Sequence, residues 1–413
     1  MGQLANKENN TVSVWCVASM ASIPLVMTLG NSMLIPVLPI FEKKVGITSF
    51  QSSMVITSFS IASIFLIPIA GYLSDRIGRK KVILPSLIIT LIGGLIAGFA
   101  SWRLEDPYAM IIIGRVLQGI GAAGASPIVL PLIGDLYQDD DEKTSSCLGI
   151  IETSNTFGKV LSPILGSFFA AFLWYLPFFS IAVFSLISII MVFFLIPQPK
   201  GKEKPKNFKD SLHNTKQIFK NEGRWIYTVL IIGSYVMLIL FGVLFFLSDN
   251  LEKLHDLHGV KKGFVLAIPL LTLCISSFIT GRTIKGKLPT MKKVIVASVV
   301  AMSVTIVFEG FIRERLWLLI AVTSILGIAI GCLLPTLDAM ITENIEKEQK
   351  GTVTSFYSSS RYVGVAAGPP LMSIFMKEHI NMTFIIAGML GIIIAFLVFK
   401  FIRTEGSDTK KAG

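Results

Sequence analysis

Long apolar blocks dominate this sequence. Blocks of about 20 residues or more follow one another along the 413-residue chain, and each is long enough as a helix to cross a hydrocarbon core of roughly 30 Å. Only 15% of the residues are charged, against about 25% in a typical soluble domain. Backbone groups inside a bilayer must hydrogen-bond to each other, and the blocks do not alternate as the strands of a membrane barrel do. The sequence therefore predicts an all-α membrane protein.

The lengths of the apolar blocks predict twelve transmembrane helices. A polar, Lys-rich linker at 199–224 follows the sixth, so we expect an N-terminal six-helix bundle at 1–198 and a C-terminal six-helix bundle at 225–413. The first block is too long for the apolar part of a cleavable signal peptide, so none is expected. The predicted spans are 13–41, 50–74, 81–101, 108–136, 145–172, 175–197, 225–249, 263–283, 292–311, 316–341, 352–376 and 380–402.

The distribution of Lys and Arg predicts the orientation. With both termini in the cytoplasm, 25 of the 37 cations lie in cytoplasmic loops and tails, 9 in outer loops and 3 within spans. Cytoplasmic loops carry such an excess in membrane proteins. This bias explains the net charge of +11 without a nucleic-acid partner, and we expect a multi-pass protein of the plasma membrane. The four cysteines stand singly, without metal-site spacing, so no metal or cofactor is expected.

The two halves of the chain repeat each other weakly. Aligning Pro163 with Pro369 gives an offset of 206 residues, which is about half of the chain. A pseudo-symmetric pair of six-helix halves places a binding site near the bilayer midplane between them. Proline removes a backbone donor and bends a helix, so we expect bends in spans five and eleven. The predicted bend residues are Gly158, Pro163, Gly166, Gly368 and Pro369.

The segment 71–81 joins spans two and three and reads GYLSDRIGRKK. A basic, glycine-containing turn belongs at a membrane surface, and the acid Asp75 stands there among cations. Because Asp75 can pair with an arginine and accept from backbone N–H groups, one interpretation is a charge-locked hinge. The alternative is a basic loop that only sets topology. Asp135 at the end of span four is a candidate partner for Arg76 or Arg79, and the acidic residues 139–142 follow it.

Polar residues inside span four indicate function. A charge near mid-membrane costs a few kcal/mol and usually has a role there. Arg115 and Gln118 lie one turn apart and therefore share a face. The alternative for Arg115 is a structural hydrogen-bonding role. Asn31 in span one is a further polar candidate for contact with substrate.

Span five carries a polar stripe of Glu152, Asn155 and Lys159, spaced to lie on one helical face. Glu152 is the best candidate for a carboxylate that binds and releases protons, and a structural Glu152–Lys159 pair is the alternative. In the repeat alignment Arg361 of span eleven lies one turn from the counterpart of Lys159. Two facing cations suit an anionic or zwitterionic substrate group, while helix packing or a gate is the alternative for Arg361. Asp338 and Glu343 in span ten remain ambiguous.

Three motifs resemble those of the major facilitator superfamily, and most of all its twelve-span drug–proton antiporters. The pattern from Gly71 through Asp75, Gly78 and Arg79 resembles the loop signature between spans two and three. The pattern that begins at Arg115 resembles the fourth-span motif of proton-coupled members. The fifth-span sequence from Gly158 to Ser167 is similar to the antiporter motif GxxxGPxxGG, with serine at two of its glycines.

The resemblance implies a proton-driven exporter that works by alternating access, as a monomer and not as an enzyme. Its cargo would be an amphipathic drug-like compound or an anionic secreted metabolite such as a siderophore. Proton-coupled uptake of a small anion, a lipid-linked precursor flippase and a non-transporting sensor stay open as alternatives. Glu152 and Arg115 would couple protons, and the loop would form the inner gate. The expected substrate contacts are Asn31, Gln118, Asn155, Lys159 and Arg361; the expected gate residues are Gly71, Asp75, Arg76, Gly78, Arg79 and Asp135.

Overall fold

The apolar blocks form long helices. The computed structural model describes residues 13–137, 141–197, 223–284, 288–345, 347–376 and 379–402, and these contain helices and turns without strands. A 3-10 turn at Ile35–Val37 lies between the first two helices. The helices are α1 Val14–Ser32, α2 Leu38–Val45, α3 Ser49–Ile77, α4 Arg79–Arg103, α5 Tyr108–Ala125, α6 Val129–Leu136, α7 Asp141–Phe172, α8 Leu176–Leu195, α9 Gly223–Lys253, α10 Gly259–Thr283, α11 Leu288–Ile312, α12 Leu316–Asn344, α13 Lys347–Phe375 and α14 Ile380–Phe401.

Each predicted span corresponds to one of these helices or to a pair of them. Ten are long and apolar enough to cross a membrane, with α1 and α2 joined as one span and α5 and α6 as another. The other two, α7 and α13, are 32 and 29 residues long and are the predicted spans five and eleven. They carry the polar side chains of the predicted substrate site, which lowers their hydropathy. The predicted linker at 199–224 lies almost entirely outside the described residues.

Two spans are interrupted where the sequence predicted continuous helices. The first is broken at the 3-10 turn, which contains Pro36 and is followed by Pro39. The fourth is broken between α5 and α6, around Pro127. Proline cannot donate a backbone hydrogen bond, so nearby carbonyl groups become available to other partners. The prolines at the predicted bends, Pro163 and Pro369, lie inside the helices α7 and α13, and the bends themselves stay a prediction.

The turn between spans two and three is shorter than predicted. Residues 71–77 continue helix α3, and α4 begins at Arg79, so Gly78 alone breaks the helix. Gly78 has φ of 104° and ψ of 141°, a conformation that side chains with a Cβ atom rarely adopt. Asp75 therefore lies in the last turn of a helix rather than in a loop. We call the side of the bundle that carries this turn the Gly78 face.

Helix packing follows the same plan in both halves. In the N-terminal half α1 packs on α7, α3 on α5, and α4 on α8. The corresponding pairs in the C-terminal half are α9 with α13, α10 with α12, and α11 with α14. The fold is therefore all-α with two pseudo-symmetric six-helix halves, as the sequence predicted.

Glycines allow the closest of these approaches. A Cβ atom on Gly166 of α7 would fall 2.0 Å from the Met33 carbonyl oxygen, and one on Gly364 of α13 would fall 2.0 Å from that of Ser234. Gly368 would meet the Leu238 carbonyl oxygen at 2.6 Å. Small residues let helix backbones approach in membranes, where apolar burial gives little drive for association.

The halves meet through two helix pairs, α3 with α13 and α7 with α10. The Thr57 hydroxyl donates to the Ala366 carbonyl across the first of these, at 2.8 Å. On the side opposite the Gly78 face, one buried apolar cluster joins Phe41 of the N-terminal half to Leu251 of the C-terminal half. We call this side the Gly46 face, after the left-handed glycine that ends α2.

Candidate functional site

Four charged side chains converge from both halves near the middle of the bundle. Glu152 and Lys159 belong to α7, Asp338 to α12 and Arg361 to α13. An Arg361 Nη atom lies 3.6 Å from a carboxylate oxygen of Asp338. Lys159 is within electrostatic reach of the other three. We call this set the central charged cluster.

Lys159 is the residue of this cluster that most needs a ligand. It is 8% exposed, and its ammonium group has no hydrogen-bond partner within the described part of the chain. A buried charge without partners is costly, and Arg361 nearby adds a second positive charge. An oxygen-rich anionic or carbonyl group placed between Lys159 and Arg361 would supply the missing interaction.

Asn155 connects the polar stripe of α7 to α1. Its side-chain oxygen accepts a hydrogen bond of 2.5 Å from the Thr28 hydroxyl, and its amide nitrogen donates to Glu152 at 3.4 Å. The described ion pairs do not include one between Glu152 and Lys159, so the structure does not favour that alternative. Glu152 and Lys159 share a helix face without direct contact and are both able to interact with a third group.

Two acids inside the spans were not assigned a role from the sequence. Asp338 was left ambiguous, and only the folded chain shows that it interacts with both Arg361 and the Tyr357 side chain. Glu309 of α11 was overlooked; it is fully buried and faces Thr323, whose hydroxyl donates to the Leu319 carbonyl at 2.8 Å. The sequence did hold a signal for Glu309, because an acidic residue inside a membrane span is rare and usually functional.

Arg115 occupies a separate, neutral environment. It is fully buried and donates to the carbonyl oxygens of Val55 and Gly30, at 2.7 and 2.8 Å. It also donates to the side-chain oxygens of Gln118 and Asn31, at 2.6 and 3.3 Å. Its guanidinium lies 4.6 Å from the centre of the Phe59 ring.

The contacts of Arg115 favour the structural interpretation. They hold α1, α3 and α5 together, and none of the described partners is a carboxylate. Asn31 and Gln118, two of the five residues expected to contact the substrate, are buried as partners of this arginine. The proton-coupling role of Arg115 stays a prediction.

On the Gly78 face, Arg79 is the centre of a polar network. It forms an ion pair with Asp75 one turn earlier, a 2.9 Å ion pair with Asp135, and a 2.7 Å hydrogen bond to Ser74. The structure thus brings Asp135 to Arg79 rather than to Arg76, which is exposed. The side chains of the acidic residues 139–142 lie outside the described part.

Gly71, one of the predicted gate residues, approaches the other half. A Cβ atom on Gly71 would fall 3.2 Å from the Ser355 hydroxyl of α13, whereas the partners of Arg79 described above all belong to the N-terminal half. Throughout the described residues, no group of three or more His, Cys, Asp or Glu is arranged to hold a metal ion.

Comparison with known proteins identifies the family. The sequence model of the Major Facilitator Superfamily matches residues 20–312 and 262–413. The chain belongs to the major facilitator superfamily. It is therefore a multi-pass membrane transporter and not an enzyme.

Curated relatives within this superfamily carry the names of exporters. The chain is 50% identical over 395 residues to the bacillibactin exporter of Bacillus subtilis (strain 168), covering 96% of this chain and 98% of that protein. It is 26% identical over 380 residues to multidrug resistance protein 2 of the same strain, covering 89% and 90%. It is 22% identical over 389 residues to the quinolone resistance protein NorA of Staphylococcus aureus, covering 91% and 93%.

Solved structures show the same fold at low sequence identity. The human organic anion transporter MFSD10 superposes with a TM-score of 0.74 at 17% identity, covering 93% of this chain and 99% of that one. A D-xylose–proton symporter superposes with a TM-score of 0.77 at 13% identity, covering 94% and 98%. These two transporters are named for different substrates and share this fold. The fold therefore does not establish the direction of transport or the cargo, which have to be inferred from the site.

Proposed function

We propose that this transporter is a proton-driven exporter of a polar secreted metabolite such as a siderophore. The observation that carries the proposal is the cationic pair of Lys159 and Arg361, contributed by different halves. The Lys159 ammonium is buried and has no hydrogen-bond partner among the residues that the structure describes. The relative that is 50% identical is named an exporter of bacillibactin, which supports both the direction and the class of cargo.

In this proposal the cargo bridges the two halves. Its acceptor oxygens bind Lys159 and Arg361, and its hydroxyl donors bind Glu152 and Asp338. Because α7 and α13 belong to different halves, a ligand held between them stabilises one relative position of the halves over another. Such differential binding is what alternating access requires of a substrate.

The protonation of Asp338 determines whether cargo and protons move in opposite directions or in the same direction. While ionised, it accepts a charge-assisted hydrogen bond from a hydroxyl group, and a proton on Asp338 neutralises the carboxylate and weakens that hydrogen bond. The same proton would release Arg361 and so favour a purely anionic ligand. Exchange of cargo for protons therefore requires a cargo with hydroxyl donors beside its acceptor oxygens. A cargo recognised only as an anion would instead be carried together with protons, which is the uptake alternative.

The proposed orientation puts the Gly78 face and both termini in the cytoplasm of the cell that carries this transporter in its plasma membrane. This orientation is supported by the bias of cations along the whole chain and by four cations on this face, Arg76, Arg79, Lys80 and Lys81. The segment 199–224 would then link the six-helix halves, 1–198 and 225–413, on the cytoplasmic side. We further propose that the transporter acts as a monomer.

The test is transport by the purified protein in liposomes loaded with bacillibactin under an imposed proton gradient. An antiporter concentrates the compound in the acidic compartment, because cargo moves against the flow of protons, and a protonophore abolishes the effect. Accumulation in the alkaline compartment would overturn export in favour of proton-coupled uptake. Movement of a fluorescent lipid between leaflets, without movement of bacillibactin, would favour the flippase.

A further inference from the structure

A second group of charges joins the two halves far from the central charged cluster. It lies on the Gly46 face, where the end of α2 meets the end of α9 and the beginning of α10. The Lys43 ammonium lies 2.9 Å from a carboxylate oxygen of Glu252, and the Lys253 ammonium lies 3.4 Å from Glu42. Both ion pairs connect the N-terminal half to the C-terminal half.

Glu252 is the centre of this group. Its second carboxylate oxygen lies 2.9 Å from the Lys262 ammonium of its own half. Glu252 is 5% exposed and Lys262 is 1% exposed, so this pair is shielded from water. Charge-assisted contacts in such a place are much less screened than surface ion pairs.

The break in the first span supplies two further contacts between the halves. Lys262 donates to the Pro36 carbonyl at 2.9 Å, and the Ser248 hydroxyl donates to the Ile35 carbonyl at 3.0 Å. These carbonyl groups belong to the 3-10 turn that interrupts the span. The interruption therefore has a specific use: it offers backbone acceptors to the opposite half on the Gly46 face.

We propose that Glu252 and Lys262, with their partners Lys43 and Pro36, form the gate that closes the transport pathway on the Gly46 face. We call these four residues the Gly46-face gate. Opening this face separates α2 and the preceding 3-10 turn from α9 and α10, which breaks the two ion pairs and the two hydrogen bonds between the halves described in this subsection. The inference rests on the alternating-access part of the proposed function and on neither its cargo nor its direction.

The contacts of Lys43 and Glu252 predict which of the two contributes more to closing the Gly46 face. The Lys43 side chain is 61% exposed, so its removal leaves Glu252 still paired with Lys262 in the same half. Removal of the Glu252 charge leaves Lys43 without its ion-pair partner, and it takes the carboxylate at 2.9 Å away from the buried Lys262 ammonium. Glu252→Gln should therefore open the face more than Lys43→Met does.

The test measures the distance between spin labels at Lys44 and Lys261, two exposed positions on opposite sides of the gate. Labels are placed on cysteines at these positions, with the four native cysteines replaced by alanine and transport verified. No cargo and no proton gradient is applied, so the outcome does not depend on the proposed function beyond alternating access. We expect Glu252→Gln to raise the ratio of the long-distance to the short-distance population about tenfold.

Two further variants make the result decisive. Glu314→Gln removes an exposed acid of the same face outside the gate and should leave the distances unchanged. Lys43→Met should shift the label distances in the same direction as Glu252→Gln but by less. Because the Lys43 side chain is exposed, this variant tests the gate even if Glu252→Gln fails to fold. Distances in the folded gate variants that equal those of the unmodified protein would overturn the proposal.

Discussion

Arg361 of α13 faces Asp338 of α12 at 3.6 Å, and Lys159 of the other half lies within electrostatic reach of both. The positive charges that suit an acceptor-rich cargo and a carboxylate that can bind a proton thus share one site. In the proposed mechanism, cargo and proton influence each other there without any long-range pathway, because each changes the partners available to Arg361.

Asp338→Asn should separate proton coupling from cargo binding. The amide keeps the size of the side chain but cannot be ionised, so cargo should still exchange for cargo across liposomes. Accumulation driven by a proton gradient should fall at least about tenfold, which corresponds to 1.4 kcal/mol. Radiolabelled cargo measures both rates on one preparation. Equal losses of exchange and of driven accumulation would show that Asp338 acts only in binding or folding.

Lys159→Met should weaken cargo binding and leave the fold intact or more stable. The buried ammonium has no hydrogen-bond partner in the described ranges of the chain, so its replacement by an apolar side chain of similar length should stabilise the protein by about 1 kcal/mol. Thermal unfolding in detergent measures stability, and titration with cargo measures affinity. Lys159→Arg, which keeps the charge, is the matched control. Destabilisation by Lys159→Met with unchanged affinity would assign this lysine to structure.

Arg115→Met should destabilise the protein by roughly 3–5 kcal/mol, because it removes a charged donor from four acceptors and leaves them buried. The measurement is membrane abundance together with unfolding temperature in detergent. Arg115→Lys should restore part of the stability. Normal abundance and stability of Arg115→Met, with loss of proton coupling alone, would instead support the coupling role that the resemblance implies.

Arg79→Gln should reduce transport and leave membrane insertion normal, because it breaks the ion pairs with Asp75 and Asp135 on the Gly78 face. Lys81→Gln removes one charge from the same segment at an exposed position and is the matched control. Transport at equal expression distinguishes the two interpretations of this segment. Equal activity of the two variants would leave the segment with a topological role only.

Gly166→Ala should lower the folded yield strongly, because the added methyl group would fall 2.0 Å from the Met33 carbonyl oxygen and would push α7 away from α1. Gly149→Ala lies in the same helix with no atom within 4 Å of the new methyl group, and it should be neutral or slightly stabilising. Size-exclusion chromatography after extraction measures the yield. Similar yields of both variants would contradict the packing described for these helices.

Much of the architecture was predictable from the sequence because lipid imposes simple rules. Apolar length marks the spans, and the repeat around Pro163 and Pro369 marks the halves. The interruption at Ile35–Val37 was not predicted, since an apolar segment with two prolines reads as a span whether or not its helix is broken. The length of the turn at 71–81 was overestimated because its polar composition is typical of a loop. In the structure only Gly78 lies outside the two helices.

The candidate site was predictable only in part. The spacing along α7 predicted that Glu152, Asn155 and Lys159 share one face. That prediction was possible because it depends only on the geometry of a single helix. The contact of Asp338 with Arg361 depends on the packing of α12 against α13, for which one sequence holds no direct signal. The same is true of the neutral surroundings of Arg115, because its partners come from three different helices.

The affinity of the protein for bacillibactin in acidic and in alkaline buffer tests the central claim most directly. Proton-driven export through the central charged cluster predicts weaker binding in acid, and it predicts that Asp338→Asn largely removes this dependence. Tighter binding of bacillibactin in acid by the unmodified protein, with the same dependence on Asp338, would show that cargo and protons travel together and would contradict the account.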